Sequence, residues 1–327
     1  MTALRISMIF VLSVIIASSW LVASDGLSAR PAIHDHQLAS VNGLSPVTNF
    51  PDQARLCSRL KPRGASLPET MPDTVKPAKY SGGLYREIRA RDLPGIVKLE
   101  PERDLPNLEV SKGHCSATRI ARNWFLSAAH CVSNNYDRIN LKAGSEFLSS
   151  ELIQTIPVDF AICHDGFVGR NNQFENDIAL LHVEESQLAH LSEVPIVSWG
   201  MTAVPFSTVR FSAARVGGWG LKSFNGELND HLQKMELDIL HIDDRLIRLT
   251  SRAGRGPCVG DSGGPLIVED GGKPVLMGVL STISANQAGH MCEGSYVSNY
   301  TNLASYQRWV VNTMLTCNAD KKTCRRG

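Results

Sequence analysis

Short apolar or alternating runs, separated by glycine, asparagine and aspartate, fill the chain from about residue 93 onward. Many short strands of this kind are typical of an all-β sandwich or barrel. Near the C-terminus the pattern is helical instead, because Leu303, Tyr306, Val310 and Met314 recur at spacings of three and four residues. The clearest strand-like runs are residues 96–99, 124–128, 178–183, 213–216, 235–240, 265–268 and 275–280. We therefore predict an all-β domain that ends in a helix.

The N-terminus has the pattern of a secretory signal peptide. After Arg5, residues 6–22 form an apolar run without an acidic residue, and small residues follow at 23–24 and 27–29. The alternative is a membrane anchor, but the run is only about 17 residues long, at the lower edge of what spans a bilayer. We predict that residues 1–29 are a signal peptide cut somewhere in 24–29. The protein would then be secreted, to an extracellular or periplasmic space, without stable membrane insertion.

The next segment, to about Lys79, is rich in proline, serine and aspartate. Prolines at 46, 51, 62, 68, 72 and 77 interrupt any periodic pattern. His34 and His36 lie here and are expected to be solvated rather than to bind a metal. We predict no long helix or strand in this segment.

Composition narrows the function classes. The 327 residues are 43% hydrophobic and 20% charged, which predicts a folded chain of up to two units. Lys and Arg total 33 against 32 Asp and Glu, so the net charge of +1 argues against nucleic acid as a partner. Eight cysteines agree with export, although they permit 105 pairings. The sequence has no His-Glu-x-x-His motif or Cys/His cluster, so we expect no metal and no cofactor.

The motif GDSGGPL at residues 260–266 carries the sharpest chemical signal. Glycines flank Ser262 in a polar turn that leads into an apolar strand, which leaves its Oγ exposed. The backbone N–H groups of Gly260 and Ser262 can point at one spot and hold an oxyanion. Ordinary turns also use Gly, Asp and Ser, but a run of six specified residues favours a catalytic serine.

A serine nucleophile needs a base within hydrogen-bond reach and an acid that orients that base. The motif LSAAHC supplies His130, and Asp177 stands directly before an apolar strand. Taken alone, a histidine beside a cysteine is more often structural, and Asn-Asp before a strand is ordinary turn chemistry. These two candidates gain weight only together with Ser262.

With His130, Asp177 and Ser262 in this order and in these local sequences, the chain resembles the chymotrypsin/trypsin family of serine proteases. The resemblance covers residues 80–317 and includes the Gly-Trp-Gly at 218–220, Ser281 and the Tyr-Thr at 300–301. It implies two six-stranded antiparallel β-barrels with a C-terminal helix and a catalytic triad between the barrels. Residues 318–327 would be a C-terminal tail.

The resemblance also implies roles and disulfides. Ser262 would attack the scissile carbonyl, His130 would carry the proton, and Asp177 would hold the imidazole. Cys115 would pair with Cys131, and Cys258 with Cys292. Cys317 with Cys324 is a plausible local loop, which would leave Cys57 to tether the N-terminal segment to Cys163, a pair that the sequence leaves open. A disulfide usual in vertebrate members is missing, since residues 238–256 contain no cysteine.

Family members are usually activated by a cut before Ile-Val-Gly-Gly, and the new α-amino group then pairs with the acid that precedes the nucleophile, here Asp261. The best match is Tyr80-Ser81-Gly82-Gly83 after Lys79, where only the two glycines are retained. This match predicts a pro-segment at 30–79 and an activating protease as a partner. The alternative is that these glycines form a flexible linker.

The resemblance places the substrate pocket at Gly256, Ser281, Ile283 and Ser298. Gly256 stands six residues before the nucleophile, where trypsin-like members carry an aspartate that binds Lys or Arg. Ile283 stands where a glycine would leave the pocket open. We therefore expect small or medium apolar side chains before the cut, with modest discrimination of about 1–3 kcal/mol per methylene.

The function implied is a serine endopeptidase, made as a secreted zymogen, expected as a monomer and acting on protein or peptide substrates. The alternative is a non-catalytic protease-fold binding protein, although none of the three triad residues is substituted. An esterase of the α/β-hydrolase type is disfavoured, because that fold uses the opposite residue order.

Overall fold

The computed structural model describes Cys57, Leu60 and residues 92–200, 214–251, 255–286 and 289–325. The predicted signal peptide, Lys79 and Tyr80 lie outside the described residues, as does the pro-segment apart from Cys57 and Leu60.

The first sheet closes into a barrel. Its strands are β1 (Ile96–Asp104), β2 (Val110–Lys112), β3 (Cys115–Ala121), β4 (Trp124–Ser127), β5 (Arg138–Ala143), β6 (Gln154–Cys163) and β7 (Ala179–Val183). The order is β2-β1-β3-β4-β7-β6-β5, and a further antiparallel pairing of β1 with β5 closes the ring. Six strands therefore form the barrel, and the short β2 extends β1 as a hairpin.

The second sheet repeats this plan. Its strands are β8 (Ser198–Trp199), β9 (Ala214–Gly218), β10 (Gln233–Ile242), β11 (Leu246–Thr250), β12 (Pro265–Asp270), β13 (Lys273–Ile283) and β14 (Val297–Asn302). The order is β12-β9-β10-β11-β14-β13-β8, closed by pairing of β12 with β13. Six antiparallel strands form this barrel as well, and β8 adds a short parallel pair to β13. The prediction of two six-stranded antiparallel barrels is confirmed.

Helix α1 (Leu303–Ala319) begins where the Asn302 side chain accepts a hydrogen bond from the Ala304 N–H, as an N-cap should. It runs past Met314, the last residue of the predicted apolar stripe, and a second short helix, α2 (Lys321–Arg325), follows. Residues predicted as a tail are thus partly helical. Short 3-10 helices lie at Ala129–Cys131, Gly169–Asn172 and Glu185–Leu191. Among the described residues no helix is long and apolar enough to cross a membrane.

Buried apolar side chains explain why these segments form barrels. Every residue of β4 and β7 is buried, as expected for strands covered on both faces, whereas β5 alternates between buried and partly exposed positions. The inner face of α1 packs on the first barrel's core through Leu303, Tyr306 and Val310. The second barrel has a separate core around residues such as Leu266 and Tyr300.

Four disulfides join these elements. Cys115–Cys131 links β3 to the 3-10 turn of His130, and Cys258–Cys292 links the loop before β12 to the segment before β14, with Cα–Cα distances of 6.2 and 5.3 Å. Cys317–Cys324 links α1 to α2, and Cys57–Cys163 ties the N-terminal segment to the end of β6, with Cα–Cα distances of 5.5 and 5.2 Å. The pair that the sequence left open is therefore present in the structure.

Candidate active site

Antiparallel pairing of β4 with β7 brings His130 to Asp177. Ser127 at the end of β4 lies opposite Ala179 at the start of β7, so the residues just beyond both ends are neighbours. His130 Nδ1 lies 2.7 Å from Asp177 Oδ2, and the His130 backbone N–H donates to Asp177 Oδ1 at 2.9 Å. The Asp177 carboxylate is fully buried, whereas the imidazole is 24% exposed. The carboxylate therefore fixes both the backbone and the ring of a histidine that a substrate can still reach.

The second barrel also holds Asp177. The Ser281 hydroxyl on β13 donates to Asp177 Oδ2 at 2.6 Å, and the Thr301 hydroxyl on β14 donates to the Asp177 carbonyl at 2.9 Å. The sequence assigned Ser281 to the substrate pocket, but its hydroxyl is directed at the acid. Asp177 and Ser281 are 104 residues apart, so no local motif could reveal this contact.

Ser262 is joined by its backbone to both sides of this pair. Its carbonyl accepts a hydrogen bond from the Ser116 N–H at 2.8 Å, and Ser116 follows Cys115, whose disulfide reaches Cys131 beside His130. On the other side, the Gly263 N–H donates to the Leu280 carbonyl at 2.8 Å, next to Ser281. The structure thus brings the three predicted residues into one network at the junction of the barrels.

The loop around Ser262 leaves two backbone donors free. The N–H groups of Asp261, Gly263 and Gly264 donate to carbonyls at 3.0, 2.8 and 2.9 Å. Within the part of the chain that the structure describes, the N–H groups of Gly260 and Ser262 donate to no acceptor. Two unpaired donors two residues apart can hold a developing oxyanion.

Gly260 has the positive φ of +97° that this loop requires, a conformation that residues with a Cβ rarely adopt. A Cβ at Gly263 would lie 2.2 Å from Ser127 Oγ and 2.3 Å from the Ser116 carbonyl oxygen. The glycines of the motif therefore allow the loop to turn and to lie against β3 and β4.

Asp261 points away from the free donors into the protein. Its buried carboxylate accepts hydrogen bonds from the Gly220 N–H at 2.6 Å and the Cys258 N–H at 2.8 Å. A Cβ on Gly218 would approach Asp261 Oδ1 to 2.4 Å, and a Cβ on Gly220 would also collide with the carboxylate, which explains the Gly-Trp-Gly motif. Burial raises the pKa of Asp261, and the two backbone donors oppose that shift.

At the predicted pocket base, Gly256 lies beside uncharged side chains. A Cβ on Gly256 would fall 2.1 Å from Ser251 Oγ and 2.6 Å from the Tyr296 hydroxyl oxygen, so these two groups occupy the space of an acidic side chain there. Burial raises the pKa of Tyr296 to about 12, and its hydroxyl donates to the Pro257 carbonyl at 2.9 Å. Ser298 is fully buried, and Ile283 is half-buried against the second core. The groups that surround Gly256 are therefore polar but carry no charge at physiological pH.

Phe174 is a neighbour of His130 that the sequence analysis did not identify. Its ring meets the imidazole edge-on with centroids 5.6 Å apart, from a left-handed backbone position with φ of +59°. Such a conformation has no reliable sequence signature for phenylalanine. The ring therefore packs edge-to-face against the imidazole.

One cluster of metal-ligand atoms occurs at the site. Atoms of Cys115, His130 and Cys131 lie within 4.8 Å of one another. Both sulfurs are consumed by the Cys115–Cys131 disulfide, so neither is available as a thiolate ligand.

Comparisons with known proteins agree with this arrangement. The family model described as Trypsin matches residues 94–310. Granzyme M of Rattus norvegicus is 28% identical over 226 residues, which are 62% of this chain and 81% of that protein. Fibrinolytic enzyme, isozyme C, of Lumbricus rubellus is 29% identical over 215 residues, 60% of this chain and 86% of that protein. Trypsin-1 of Astacus astacus is 27% identical over 221 residues, with coverages of 60% and 86%.

Proposed function

Because this chain belongs to the trypsin family of serine proteases, and is therefore a serine endopeptidase, we propose that Ser262, His130 and Asp177 carry its catalysis. The observation that supports this assignment best is the buried Asp177 carboxylate, which holds His130 at two atoms. Since Nδ1 donates to Asp177, the imidazole keeps Nε2 as an acceptor for the serine proton.

In the first step Ser262 Oγ bonds to the scissile carbonyl carbon while its proton passes to His130 Nε2. The carbonyl oxygen becomes an oxyanion, which the N–H groups of Gly260 and Ser262 stabilise. His130 then gives the proton to the leaving amine, and the C–N bond breaks to leave an acyl-enzyme. Water hydrolyses the ester by the same route. Asp177 stays ionised and stabilises the imidazolium throughout.

A fluorophosphonate tests this assignment directly. The mature wild type should be labelled at Ser262, and Ser262→Ala should lose both the label and peptide hydrolysis while it keeps its fold. Ser223→Ala, at an exposed serine outside the proposed triad and oxyanion donors, is the matched control and should behave like the wild type. Label at another residue, or full activity in Ser262→Ala, would instead favour the non-catalytic binding protein.

We further propose that small or medium apolar side chains are preferred before the cut. Gly256, Ser298 and the neighbouring Ser251 and Tyr296 offer no negative charge at neutral pH. A buried lysine or arginine side chain of a substrate would therefore lack a counter-charge there, which is costly. Ile283 further narrows the space that the family leaves open with glycine.

We also propose that the protein is exported and made as a zymogen that is activated by cleavage after Lys79. The free α-amino group of Tyr80, with an ordinary pKa of about 7.7–8.0, would then pair with Asp261. A carboxylate has about four lone-pair positions, and two of those on Asp261 accept backbone N–H groups, so the side chain has capacity for a cation. The Cys57–Cys163 disulfide would keep the severed pro-segment attached. Export is supported by the four disulfides, which persist in oxidising compartments.

A further inference from the structure

A lysine is fully buried beside the catalytic loop. Lys98 lies on β1, in register with Ser116 on β3 and with Lys142 on β5, and it is 1% exposed. Within the described residues its ammonium donates to no hydrogen-bond acceptor. A buried ammonium without a partner is costly, so this residue needs an explanation beyond packing.

Two carboxylates near Lys98 favour its charged form, and one of them already has other partners. Four charged or titratable groups face it: Asp261 from the loop before β12, Glu100 from β1, Lys142 from β5, and His114 from the segment before β3. The Glu100 carboxylate is already bonded to Lys142 at 2.8 Å and to Lys112 at 3.2 Å. Asp261, by contrast, is held by two backbone N–H groups.

A short path connects Lys98 with the reacting serine. Ser116, beside Lys98 in the sheet, donates its backbone N–H to the Ser262 carbonyl, and Asp261 is the residue before Ser262. The Ser116 hydroxyl is also buried without a hydrogen-bond partner among the described residues. Lys98 is thus linked to the residue after Asp261 through Ser116, although no hydrogen bond joins the two side chains within the described residues.

We propose that Lys98 is a positioning residue whose buried charge attracts the Asp261 carboxylate, favours its ionised form, and so lets a small fraction of the uncut precursor hold the Gly260–Ser262 loop in its oxyanion-binding shape. The Coulomb attraction between two buried charges is strong because little water screens it. The residual reactivity of the uncut precursor would then depend on Lys98. After the cut, the new amine of Tyr80 would bring a second positive charge to Asp261, whose negative charge Lys98 already balances in part. This inference rests on the proposed function, since it assigns regulation to the same Ser262.

The uncut precursor is the right background for the test. Lys79→Gln removes the proposed cleavage, so the Tyr80 amine does not form and N-terminal sequencing can verify its absence. In this background, Lys98→Met should slow fluorophosphonate labelling of Ser262 by about 10- to 100-fold, up to the scale of one lost oxyanion donor. In the cut enzyme the new amine supplies a cation, so the same substitution should slow labelling of Ser262 by less than about threefold.

Matched variants distinguish an effect of the Lys98 charge from damage to the fold. Lys142→Met removes a partly exposed lysine from the neighbouring strand and should label like its parent. Lys98→Gln keeps a donor but no charge and should be as slow as Lys98→Met. In an Asp261→Asn background, Lys98→Met should have no additional effect. The melting temperature of Lys98→Met should not fall, because an unpartnered buried ammonium is removed.

The pH profile provides an independent readout. Burial lowers the pKa of Lys98 to about 8, although Asp261 and Glu100 favour the charged form. Lys98 is therefore charged below this pH, and its attraction for Asp261 is lost as the pH rises through it. Labelling of the Lys79→Gln precursor should decline above about pH 8, and Lys98→Met should lack this decline.

Four outcomes would overturn the proposed role of Lys98, and a fifth would refute the catalytic assignment. The proposal is overturned if the Lys79→Gln precursor does not react at all while the cut enzyme does, if Lys98→Met labels as fast as its parent, or if Lys98→Gln restores the rate. Equal slowing in cut and uncut forms would also overturn it, since that result indicates general damage. Failure of the cut wild type to label at Ser262 would instead refute the catalytic assignment.

Discussion

Replacing Asp177 with asparagine tests how the carboxylate controls the histidine. Asp177 Oδ1 accepts the His130 backbone N–H, and Oδ2 accepts both His130 Nδ1–H and the Ser281 hydroxyl. An asparagine has one oxygen and one NH₂ group for these two positions. If the NH₂ faced the backbone N–H, two buried donors would oppose each other. The oxygen will therefore take the Oδ1 position, and the NH₂ will face Nδ1.

This orientation reverses the tautomer of His130. With an NH₂ donor opposite it, Nδ1 must accept, so the proton moves to Nε2 and the ring cannot take the proton of Ser262. The Ser281 hydroxyl can rotate and accept from the same NH₂, which leaves no new unpaired group. The expected loss in kcat is about 10⁴-fold, equivalent to about 5.4 kcal/mol of transition-state stabilisation. The melting temperature should change little.

A second Asp–His pair in the first barrel provides the control. Asp159 lies 2.7 Å from Nδ1 of the fully buried His182, the same separation as in the Asp177–His130 pair. Asp159→Asn should lower the melting temperature but leave kcat within about twofold, since that pair touches no nucleophile. Hydrolysis of a chromogenic peptide by the two cut variants is the assay. If Asp177→Asn retains more than about a tenth of wild-type kcat, the tautomer argument is wrong.

Two other predictions concern specificity and activation. A peptide library cleaved by the mature enzyme should show Ala or Val before the cut, and strong selection for Arg or Lys would refute the placement of Gly256 at the pocket base. Lys79→Gln should be secreted and folded but nearly inactive. The wild type, once cut, should separate into two bands only on a reducing gel, because Cys57–Cys163 joins the pieces. Asp261→Asn should stay weakly active even after cleavage, and a fully active Lys79→Gln protein with its N-terminus upstream of Tyr80 would refute the proposed activation.

The fold was largely predictable because its strands have local signatures. All the strand-like runs coincide with strands of the barrels, although β1 and β10 run several residues beyond the predicted ends. The extension of β1 includes charged residues, so apolar pattern alone misses it; pairing with β5 and β2 defines it. Helix α1 is longer than its apolar stripe because the disulfide at Cys317 anchors its last turn.

The site was predictable only where function requires a short motif. Ser262, His130 and Asp177 each stand in a recognisable local sequence, and family membership follows from them. Lys98 and the hydroxyl of Ser281 have no such context, because a lysine or serine in an apolar strand normally indicates an exposed face. Ser281 bonds to Asp177, which is 104 residues away in the sequence, and Lys98 is influenced by Asp261, which is farther away still. Both interactions arise only when the barrels meet.

The contacts across the barrel junction also explain why this site needs two barrels. The first barrel supplies His130 and Asp177, yet the side chain and carbonyl of Asp177 are bonded by β13 and β14. The second barrel supplies Ser262, whose backbone is bonded by β3 of the first. Each barrel thus orients the residues of the other, and a shift between them would misalign the proposed acid, base and nucleophile together. The proposed attraction between Lys98 of β1 and Asp261 would act across the same junction, so it would depend on the same apposition of the barrels as the triad.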